Sequence, residues 1–210
     1  MTKVQEKIKS AKPFVKWAGG KGALIKELIE RLPSDFEEQQ NITYIEPFVG
    51  GGAMLFYMLT HYPNIKRAVI NDVNIDLINC FLIIKNTPAI LISSLKKIQE
   101  EYYQLISIES KAEYYYRMGD EYNKDELSQE DRIACFLFLN KTCFNGLFRV
   151  NSKGEFNVPA GRSKKPLICD ESNILKVSEA LKGVNIKIAD YSDSEDFITK
   201  DTLVYLDPPY

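Results

Sequence analysis

Residues 43–52 are Thr43-Tyr44-Ile45-Glu46-Pro47-Phe48-Val49-Gly50-Gly51-Gly52, an apolar run that leads directly into a glycine-rich loop. The apolar run predicts a short buried strand that ends at Glu46, and helical spacing resumes over residues 53–59. A second apolar run, Ala68-Val69-Ile70, ends at Asn71-Asp72. The order strand, glycine loop, helix, strand and acid is typical of a βαβ unit, and it predicts an α/β fold with a parallel sheet.

The alternation of strands and helices is interrupted in the middle of the chain. After a helix predicted at residues 75–84, Thr87-Pro88 is typical of an N-cap followed by proline at the first helical position. From there to about Phe144 the spacing predicts helices only, and Asn145-Gly146 then predicts a turn. Residues 154–158 predict a short strand in a basic hairpin.

The α/β pattern returns near the C-terminus, with a helix predicted at residues 172–181 and strands at residues 184–189 and 203–206. We therefore divide the chain into three parts. Residues 1–86 form the first part of an α/β core, residues 87–168 form an inserted helical subdomain that carries the basic hairpin, and residues 169–210 form the second part of the core.

The last four residues, Asp207-Pro208-Pro209-Tyr210, follow the apolar run Thr202–Leu206. Two prolines cannot continue a central strand, because they lack an N–H and fix φ. The chain therefore leaves the sheet at its carboxyl edge, where open α/β sheets bind ligands. A carboxylate, a rigid carbonyl and a flat ring suit a planar exocyclic amine such as that of adenine. A turn that only closes a strand is the alternative.

The charge is unevenly distributed along the chain. The whole protein has a formal net charge of −2, which does not indicate binding to a polyanion. Residues 1–31, however, hold eight Lys/Arg against three Asp/Glu, and residues 136–166 hold six against one. Two basic patches on an acidic body favour local contact with nucleic acid, although two solvated basic faces would give the same pattern.

The cysteine and histidine content argues against metal and disulfide chemistry. The four cysteines have no CxxC spacing, and they predict reduced core residues of a cytosolic protein; they are Cys80, Cys135, Cys143 and Cys169. The single histidine, His61, is predicted at the surface. No signal peptide or apolar run of membrane-spanning length is visible, which predicts a cytoplasmic protein without membrane association.

The glycine loop and the acid after the second strand together indicate a nucleoside cofactor. Asp72 stands 20 residues beyond Gly52, where an acid takes ribose hydroxyls in dinucleotide-binding folds. The loop does not fit G-x-G-x-x-G well, which disfavours a dinucleotide. Asp190, at the end of the third predicted strand, either accepts a hydrogen bond from an adenine amino group or caps the segment 192–197.

Five blocks in the same order resemble the Dam-type (D12 class, alpha group) DNA adenine-N6 methyltransferases. They are Phe14–Lys21, Glu46–Gly52, Asn71–Leu77, Leu139–Gly161 and Asp207–Tyr210. The resemblance implies a Rossmann-like S-adenosylmethionine-dependent methyltransferase sheet with an inserted helical DNA-recognition subdomain. It also implies S-adenosylmethionine as methyl donor, S-adenosylhomocysteine as product, duplex DNA as substrate, and no metal.

The resemblance assigns the cofactor-binding residues as follows. Trp17 and Lys21 border the cofactor, and Asp72 holds its ribose. Asp190 reads its adenine, and Asp207 lies between the cofactor and the target amine. The glycine loop lies under the methionine part; its predicted contact residues are Glu46, Phe48, Gly50 and Gly52.

The terminal motif supplies the predicted catalytic residues. Hydrogen bonds from adenine N6–H to the Asp207 carboxylate and the Pro208 carbonyl would localise the nitrogen lone pair and stabilise the positive charge that develops on N6. The target atom is inaccessible inside a duplex, so the resemblance implies base flipping. Tyr210 would stack on the flipped adenine.

The basic hairpin is the predicted site of sequence reading. By resemblance, Phe144, Asn145 and Leu147 lie near the flipped base, and Arg149 reads a guanine. Two further residues, Pro159 and Lys16, match positions that contact a thymine methyl and an outer base. Arg149 and Pro159 together predict a GATC-like target. The family usually has tyrosine at 144, and residues 141 and 142 also depart from its pattern, so the recognition sequence stays open. Phosphate contacts are predicted for Lys153, Arg162, Lys164 and Lys165.

Family members continue for several strands and helices after the terminal motif, so we expect this chain to be truncated, with C-terminal strands missing. A catalytically incomplete DNA- and cofactor-binding fragment is therefore an alternative to the enzyme. A methyltransferase that acts on a protein amide is a third hypothesis, which the hairpin disfavours. We expect a monomer, with a cognate restriction endonuclease as a candidate genetic partner; an orphan housekeeping role is equally compatible with the sequence.

Overall fold

A parallel β-sheet forms the centre of the protein. The structure, a computed structural model, describes residues 10–17, 19–124, 126–163 and 165–208. Within these residues the sheet has four strands in the order β3-β2-β1-β4, all parallel. The strands are β1 (Ile42–Glu46), β2 (Ile65–Asp72), β3 (Val184–Ile188) and β4 (Thr202–Val204). The prediction of an α/β fold with a parallel sheet is confirmed.

Helices surround the sheet and fill the interval between β2 and β3. The α-helices are α1 (Ile25–Ile29), α2 (Ala53–His61), α3 (Ile75–Asn86), α4 (Pro88–Gln104), α5 (Ile108–Asn123), α6 (Gln129–Thr142) and α7 (Glu171–Ala180). Within the described residues, 3₁₀ turns lie at Phe144–Gly146 and Tyr191–Phe197. The helices α4 to α6 occupy the predicted subdomain, and their buried side chains belong to the same hydrophobic core as those of the sheet.

The register of the sheet brings three acidic residues to one edge. Ile45 of β1 lies opposite Val204 of β4, and it lies opposite Val69 of β2 on the other side. Because all the strands are parallel, their carboxyl ends meet at this edge. β1 lies between two neighbours, and Tyr44 and Ile45 are completely buried. The chain therefore places the ends of β1, β2 and β4 side by side, as the sequence predicts.

Glycine is required at the start of α2. Gly52 precedes the helix with a φ of +75°, a backbone conformation that side chains with a Cβ rarely adopt. A Cβ there would also lie 3.0 Å from Phe56 and 3.2 Å from Phe81. Only glycine therefore lets the loop turn sharply from β1 into α2 while the two rings stay packed beneath it.

Helix α6 begins with a side-chain cap, and the predicted start of α4 is confirmed in part. Ser128 caps α6, because its Oγ accepts a hydrogen bond from the Asp131 backbone N–H at 3.2 Å. Pro88 occupies the first turn of α4, as predicted, but the Thr87 side chain makes no capping bond there. Instead the Thr87 hydroxyl donates to the Ile83 carbonyl at the end of α3, since the two helices follow each other without a loop.

The prediction of a short strand at residues 154–158 is wrong, because this segment does not form a regular strand. Two isolated antiparallel bridges form the hairpin, one between Val150 and Phe156 and one between Cys143 and Ala160. The backbone groups of Phe156 point away from Val150 and bond a side chain instead: Asn123 accepts from the Phe156 N–H at 2.8 Å and donates to its carbonyl at 3.0 Å. Helix α5 thus replaces the neighbouring strand that a ladder would need.

The predictions for the cysteines and for the histidine agree with the structure. All four cysteines are buried and free. His61 is exposed, with its Nδ1 within 2.9 Å of the Tyr57 carbonyl. Within the described ranges no group of three or more potential ligands could hold a metal ion. In the same ranges no single helix has the length and hydropathy to span a membrane; α3 and α4 satisfy both criteria only as a pair, which is bent by 113°.

Candidate active site

A cavity of about 360 Å³ lies at the carboxyl edge of β1, β2 and β4. The glycine loop after β1 and the segment 13–22 form its walls, and the segment after β4 closes one side. Eight of the predicted cofactor-binding and catalytic residues line it; they are Trp17, Lys21, Glu46, Phe48, Gly50, Asp72, Asp207 and Pro208. Two predicted cofactor residues, Gly52 and Asp190, do not line the cavity. Tyr210 lies outside the described residues, as does Lys164.

The acid at the end of β1 is buried within this cavity. Glu46 is only 3% exposed, and its Oε2 accepts a hydrogen bond from the Tyr44 hydroxyl at 2.8 Å. Burial and, to a smaller extent, the nearby Asp207 carboxylate raise the pKa of Glu46 to about 8. Hydrogen bonds from Tyr44 and the Leu55 backbone oppose this shift only in part. Glu46 is therefore mainly protonated at neutral pH.

The acid at the end of β2 fixes the glycine loop. Asp72 accepts a hydrogen bond from the Gly50 backbone N–H at 3.2 Å and another from the Asn74 N–H at 2.9 Å. Each of these bonds uses a different carboxylate oxygen, and each oxygen can accept a second bond. Asp72 can thus hold the loop against β2 and still accept hydrogen bonds from hydroxyl groups in the cavity.

The acid after β4 is paired with a lysine. Lys21 Nζ lies 3.2 Å from Asp207 Oδ1, and both side chains are about three-quarters buried. Tyr205 also lines the cavity, and burial together with the nearby Asp207 and Glu46 raises its pKa to about 12. The cavity is thus lined by three acidic residues, Glu46, Asp72 and Asp207, of which Asp207 forms an ion pair with Lys21.

Asp190 acts as a helix cap, one of the two roles that the sequence allows. Its side chain accepts hydrogen bonds from the Ser192 N–H at 3.1 Å and from the Ser192 hydroxyl at 2.9 Å. The Asp193 carboxylate in turn accepts from the Asp190 N–H at 3.1 Å, which completes a capping box. The next residue, Tyr191, stacks on Phe48 of the cavity wall at 5.8 Å between ring centroids. The adenine-reading role of Asp190 stays a prediction.

Trp17 connects the cavity to the basic hairpin. Its indole lines the cavity and stacks on the Phe148 ring, with 5.4 Å between centroids and 22° between planes. A Cβ at Gly50 would lie 3.1 Å from the indole Cδ1, so the glycine loop also approaches this ring closely. The wall of the cavity is thus in direct contact with the residue that precedes Arg149.

Asn140 is a functional candidate that the sequence analysis did not single out. This fully buried side chain accepts from the Lys16 N–H at 2.8 Å and donates to the Lys16 carbonyl at 2.9 Å and the Gly146 carbonyl at 3.3 Å. It therefore joins the segment beside the cavity to the turn of the hairpin. The available signal was a lone amide after the apolar run 133–139 of α6.

We expect Asn140→Ala to lower the free energy of unfolding by about 2–3 kcal/mol, because three buried backbone groups lose their partner. Urea denaturation at pH 7 measures this, with the exposed Asn185→Ala as a control that should change it by less than about 0.5 kcal/mol. An equal effect of the two substitutions would show that the buried bonds of Asn140 contribute nothing to stability.

The structure brings together several of the predicted DNA-binding residues. Lys16 lies against the turn at Phe144–Gly146, so closely that a Cβ at Gly146 would overlap its side chain. Phe144 and Leu147 are 46% and 43% exposed, although both are large and apolar. Asn145, between them, is exposed with a φ of +55°. The turn therefore presents apolar side chains to solvent next to a lysine.

Arg149 and Pro159 lie on the same exposed hairpin. The Arg149 guanidinium donates twice to Asn157, from Nε to Oδ1 at 2.9 Å and from Nη2 to the carbonyl at 3.0 Å. The Pro159 carbonyl accepts from the Phe144 N–H at 2.9 Å, which holds the proline beside the turn. The arginine is therefore oriented by its own hairpin, a partner that the sequence did not reveal.

The parallel sheet and the cavity at its carboxyl edge give this protein the fold of the S-adenosylmethionine-dependent methyltransferases. Comparison with family models is more specific. The model of the D12 class N6 adenine-specific DNA methyltransferases matches residues 17–210, and the chain belongs to that family. The prediction of an adenine-specific DNA methyltransferase is confirmed, and membership implies S-adenosylmethionine as methyl donor and DNA as substrate.

Several curated proteins are similar over almost the whole chain. The Type II methyltransferase M.MjaIII of Methanocaldococcus jannaschii is 46% identical over 95% of this chain and 69% of its own length. The Type II methyltransferase M1.LlaDCHI of Lactococcus lactis subsp. cremoris is 36% identical over 100% of this chain and 69% of its own length. The DNA adenine methylase of Escherichia coli K12 is 32% identical over 97% of this chain and 66% of its own length. The chain thus spans about two thirds of the length of these relatives.

Proposed function

We propose that this protein transfers the methyl group of S-adenosylmethionine to N6 of an adenine that is flipped out of a GATC-like site in duplex DNA. The observation that carries the proposal is that Asp207 and Pro208 line an acidic cavity at the sheet edge, together with Glu46 and Asp72. A carboxylate and a proline carbonyl can accept both N–H groups of an adenine amine. Family membership supplies the reaction type.

The cavity suits the donor in size and charge. Its volume of about 360 Å³ falls within the usual range of small-molecule sites. Its walls combine apolar side chains with three carboxyl groups, which complement a cationic nucleoside. When bound, the donor supplies an electrophilic methyl group on a sulfonium. Asp72 would accept from ribose hydroxyls, and Trp17 and Lys21 would border the ligand.

The chemical step needs a better nucleophile than free adenine. The N6 lone pair is delocalised into the ring, so the nitrogen attacks poorly. Hydrogen bonds from N6–H to the Asp207 carboxylate and the Pro208 carbonyl would favour a pyramidal nitrogen and stabilise its developing positive charge. As the N6–carbon bond forms, the carbon–sulfur bond breaks with its electron pair on sulfur, and N6 then loses a proton to solvent.

The hairpin is proposed to read the DNA. The exposed apolar side chains of Phe144 and Leu147 would occupy space near the flipped base. Arg149 would read a guanine in the major groove, where an arginine fork matches O6 and N7. The proximity of Lys16 to this turn supports a shared DNA-contacting surface.

By analogy with the Type II names of two relatives, we propose a cognate restriction endonuclease as genetic partner. We also propose that the protein acts as a monomer in the cytoplasm.

The direct test uses labelled S-adenosylmethionine with two duplexes, one that contains GATC and one in which its adenine is moved by one position. Mass spectrometry of the digested DNA identifies the modified base. We expect N6-methyladenine in the GATC duplex only. Methylation of both duplexes would remove the sequence preference from the proposal. Binding without methylation would favour the alternative of a catalytically incomplete fragment.

We expect Arg149→Ala to reduce the preference for GATC over a duplex changed at the guanine by about 10- to 100-fold, the discrimination of one bidentate arginine–guanine pair. The matched control is Lys153→Ala on the same hairpin, which should weaken binding to both duplexes equally and reduce the salt dependence. Fluorescence anisotropy with the two duplexes measures both effects. An unchanged preference in Arg149→Ala would refute the proposed guanine contact.

A further inference from the structure

Glu46 differs from Asp207 in forming no ion pair within the described residues, and it differs from Asp72 in being almost completely buried. Asp207 is paired with Lys21 at 3.2 Å, and Asp72 accepts two backbone N–H groups. Glu46 is the most deeply buried of the three, yet it forms no ion pair in the part of the chain that the structure describes. A buried carboxyl group in this position is costly as an anion, and the reaction chemistry described above does not use it.

The groups that face Glu46 come from every element packed against it. Tyr44 of β1 donates a hydrogen bond to it, and α2 contributes a backbone N–H from Leu55. The segment after β4 contributes Tyr205 and Asp207, both of which repel a negative charge when ionised. The surroundings thus offer hydrogen bonds and one like charge. Among the groups that act on its ionisation, none is a cation.

This environment holds a proton on Glu46 until a positive charge enters the cavity. Burial raises the pKa of Glu46 to about 8, so the carboxyl group is mostly neutral at pH 7. An opposite charge within about 4–6 Å shifts a carboxyl pKa down by about 1–3 units. The methyl donor carries a sulfonium charge, and the product left after transfer is an uncharged thioether. Glu46 lines the cavity in which the thioether product replaces the sulfonium donor.

We propose that Glu46 is the residue by which the cavity distinguishes the sulfonium donor from its thioether product. On this assignment, which rests on the proposed function, Glu46 releases its proton to solvent when the donor binds. It takes a proton back once methyl transfer has removed the sulfonium charge. The donor therefore meets a carboxylate and the product meets a neutral acid, so that the product binds more weakly and leaves.

The test is isothermal titration calorimetry of S-adenosylmethionine and S-adenosylhomocysteine at pH 7.0 in phosphate and in Tris, whose ionisation enthalpies differ. The difference in heat between buffers counts the protons released. We expect the wild type to release about 0.4–0.9 proton for each donor molecule bound, and fewer for each product molecule. This range follows if the bound donor lowers the pKa of Glu46 from about 8 to between about 5 and 7. Protons from the amine of the ligand appear equally with every variant and cancel in the comparison.

Two variants assign the proton to Glu46. Glu46→Gln keeps the shape and cannot titrate, so it should release no such proton, keep its affinity for the product, and lose about tenfold in donor affinity relative to product. Tyr44→Phe keeps the carboxyl group but removes a hydrogen bond that lowers its pKa, so its proton release should persist to higher pH than in the wild type. If Glu46→Gln does not fold, Tyr44→Phe alone still tests whether the released proton comes from Glu46.

The outcomes separate the two proposals. If both ligands bind but proton release and the donor-to-product ratio are the same in wild type and Glu46→Gln, the role of Glu46 is refuted and the methyltransferase function stands. If Tyr44→Phe releases protons over the same pH range as the wild type, the proton does not come from Glu46. If the folded wild type binds neither ligand, both proposals are wrong.

Discussion

Asp207→Asn is expected to lower the rate of adenine methylation by at least about a thousandfold. Removing one preorganised group that stabilises transition-state charge typically costs about 100- to 1000-fold. Here the substitution also replaces an anion by a neutral amide, whose N–H₂ group cannot accept from adenine. A single-turnover assay with labelled donor and excess enzyme measures the chemical step directly, because product release does not limit it.

The control for this variant is Asp201→Asn, an exposed aspartate at the start of β4 whose substitution should leave the rate unchanged. Calorimetry should show that Asp207→Asn still binds the donor, which separates a loss of chemistry from a loss of the site. A rate within tenfold of the wild type would mean that Asp207 does not contact the target amine, and the proposed mechanism would then fail at its central step.

The second large effect concerns stability. Glu46→Gln is expected to stabilise the protein by about 3–5 kcal/mol at pH 8, and by much less at pH 4.5. The folded carboxyl group has a pKa of about 8, whereas the ordinary value is 4.5. As pH rises above 4.5, the unfolded state loses its proton while the folded state keeps it, so the wild type becomes progressively less stable until about pH 8. Glutamine does not titrate and carries no such penalty.

Urea denaturation at pH 5, 6, 7 and 8 tests this prediction, with the exposed Glu113→Gln as a matched control that should show no pH-dependent difference. The difference between Glu46→Gln and the wild type should grow with pH over this range. A constant difference would show that Glu46 keeps an ordinary pKa in the folded protein. The expected gain in stability comes with a loss in donor discrimination, as is common at functional sites.

The sheet and its acidic edge could be predicted from the sequence because each depends on local patterns. A buried strand, a glycine loop and an acid at the next strand end fix the βαβ unit, and parallel strands bring Glu46, Asp72 and Asp207 to one edge without further information. The contact between the hairpin and α5 could not be predicted, since Asn123 lies 33 residues from Phe156, whose backbone it bonds.

Interactions between distant parts of the chain account for most of what was missed at the site. Asn140 lies 124 residues from its partner Lys16, and nothing local in the sequence links the two. The two roles of Asp190 were balanced on sequence grounds, and the short-range bonds to Ser192 are those of a cap. The ionisation of Glu46 depends on burial and on Asp207, so it could be assigned only once the fold was known.

The stacked pair of Trp17 and Phe148 has a thermodynamic consequence. One ring touches the donor cavity, and the other lies beside the arginine proposed to read guanine. If a ligand on one side displaces this pair, it changes the free energy of binding on the other. Linkage then requires reciprocity: the factor by which donor alters the affinity for duplex equals the factor by which duplex alters the affinity for donor.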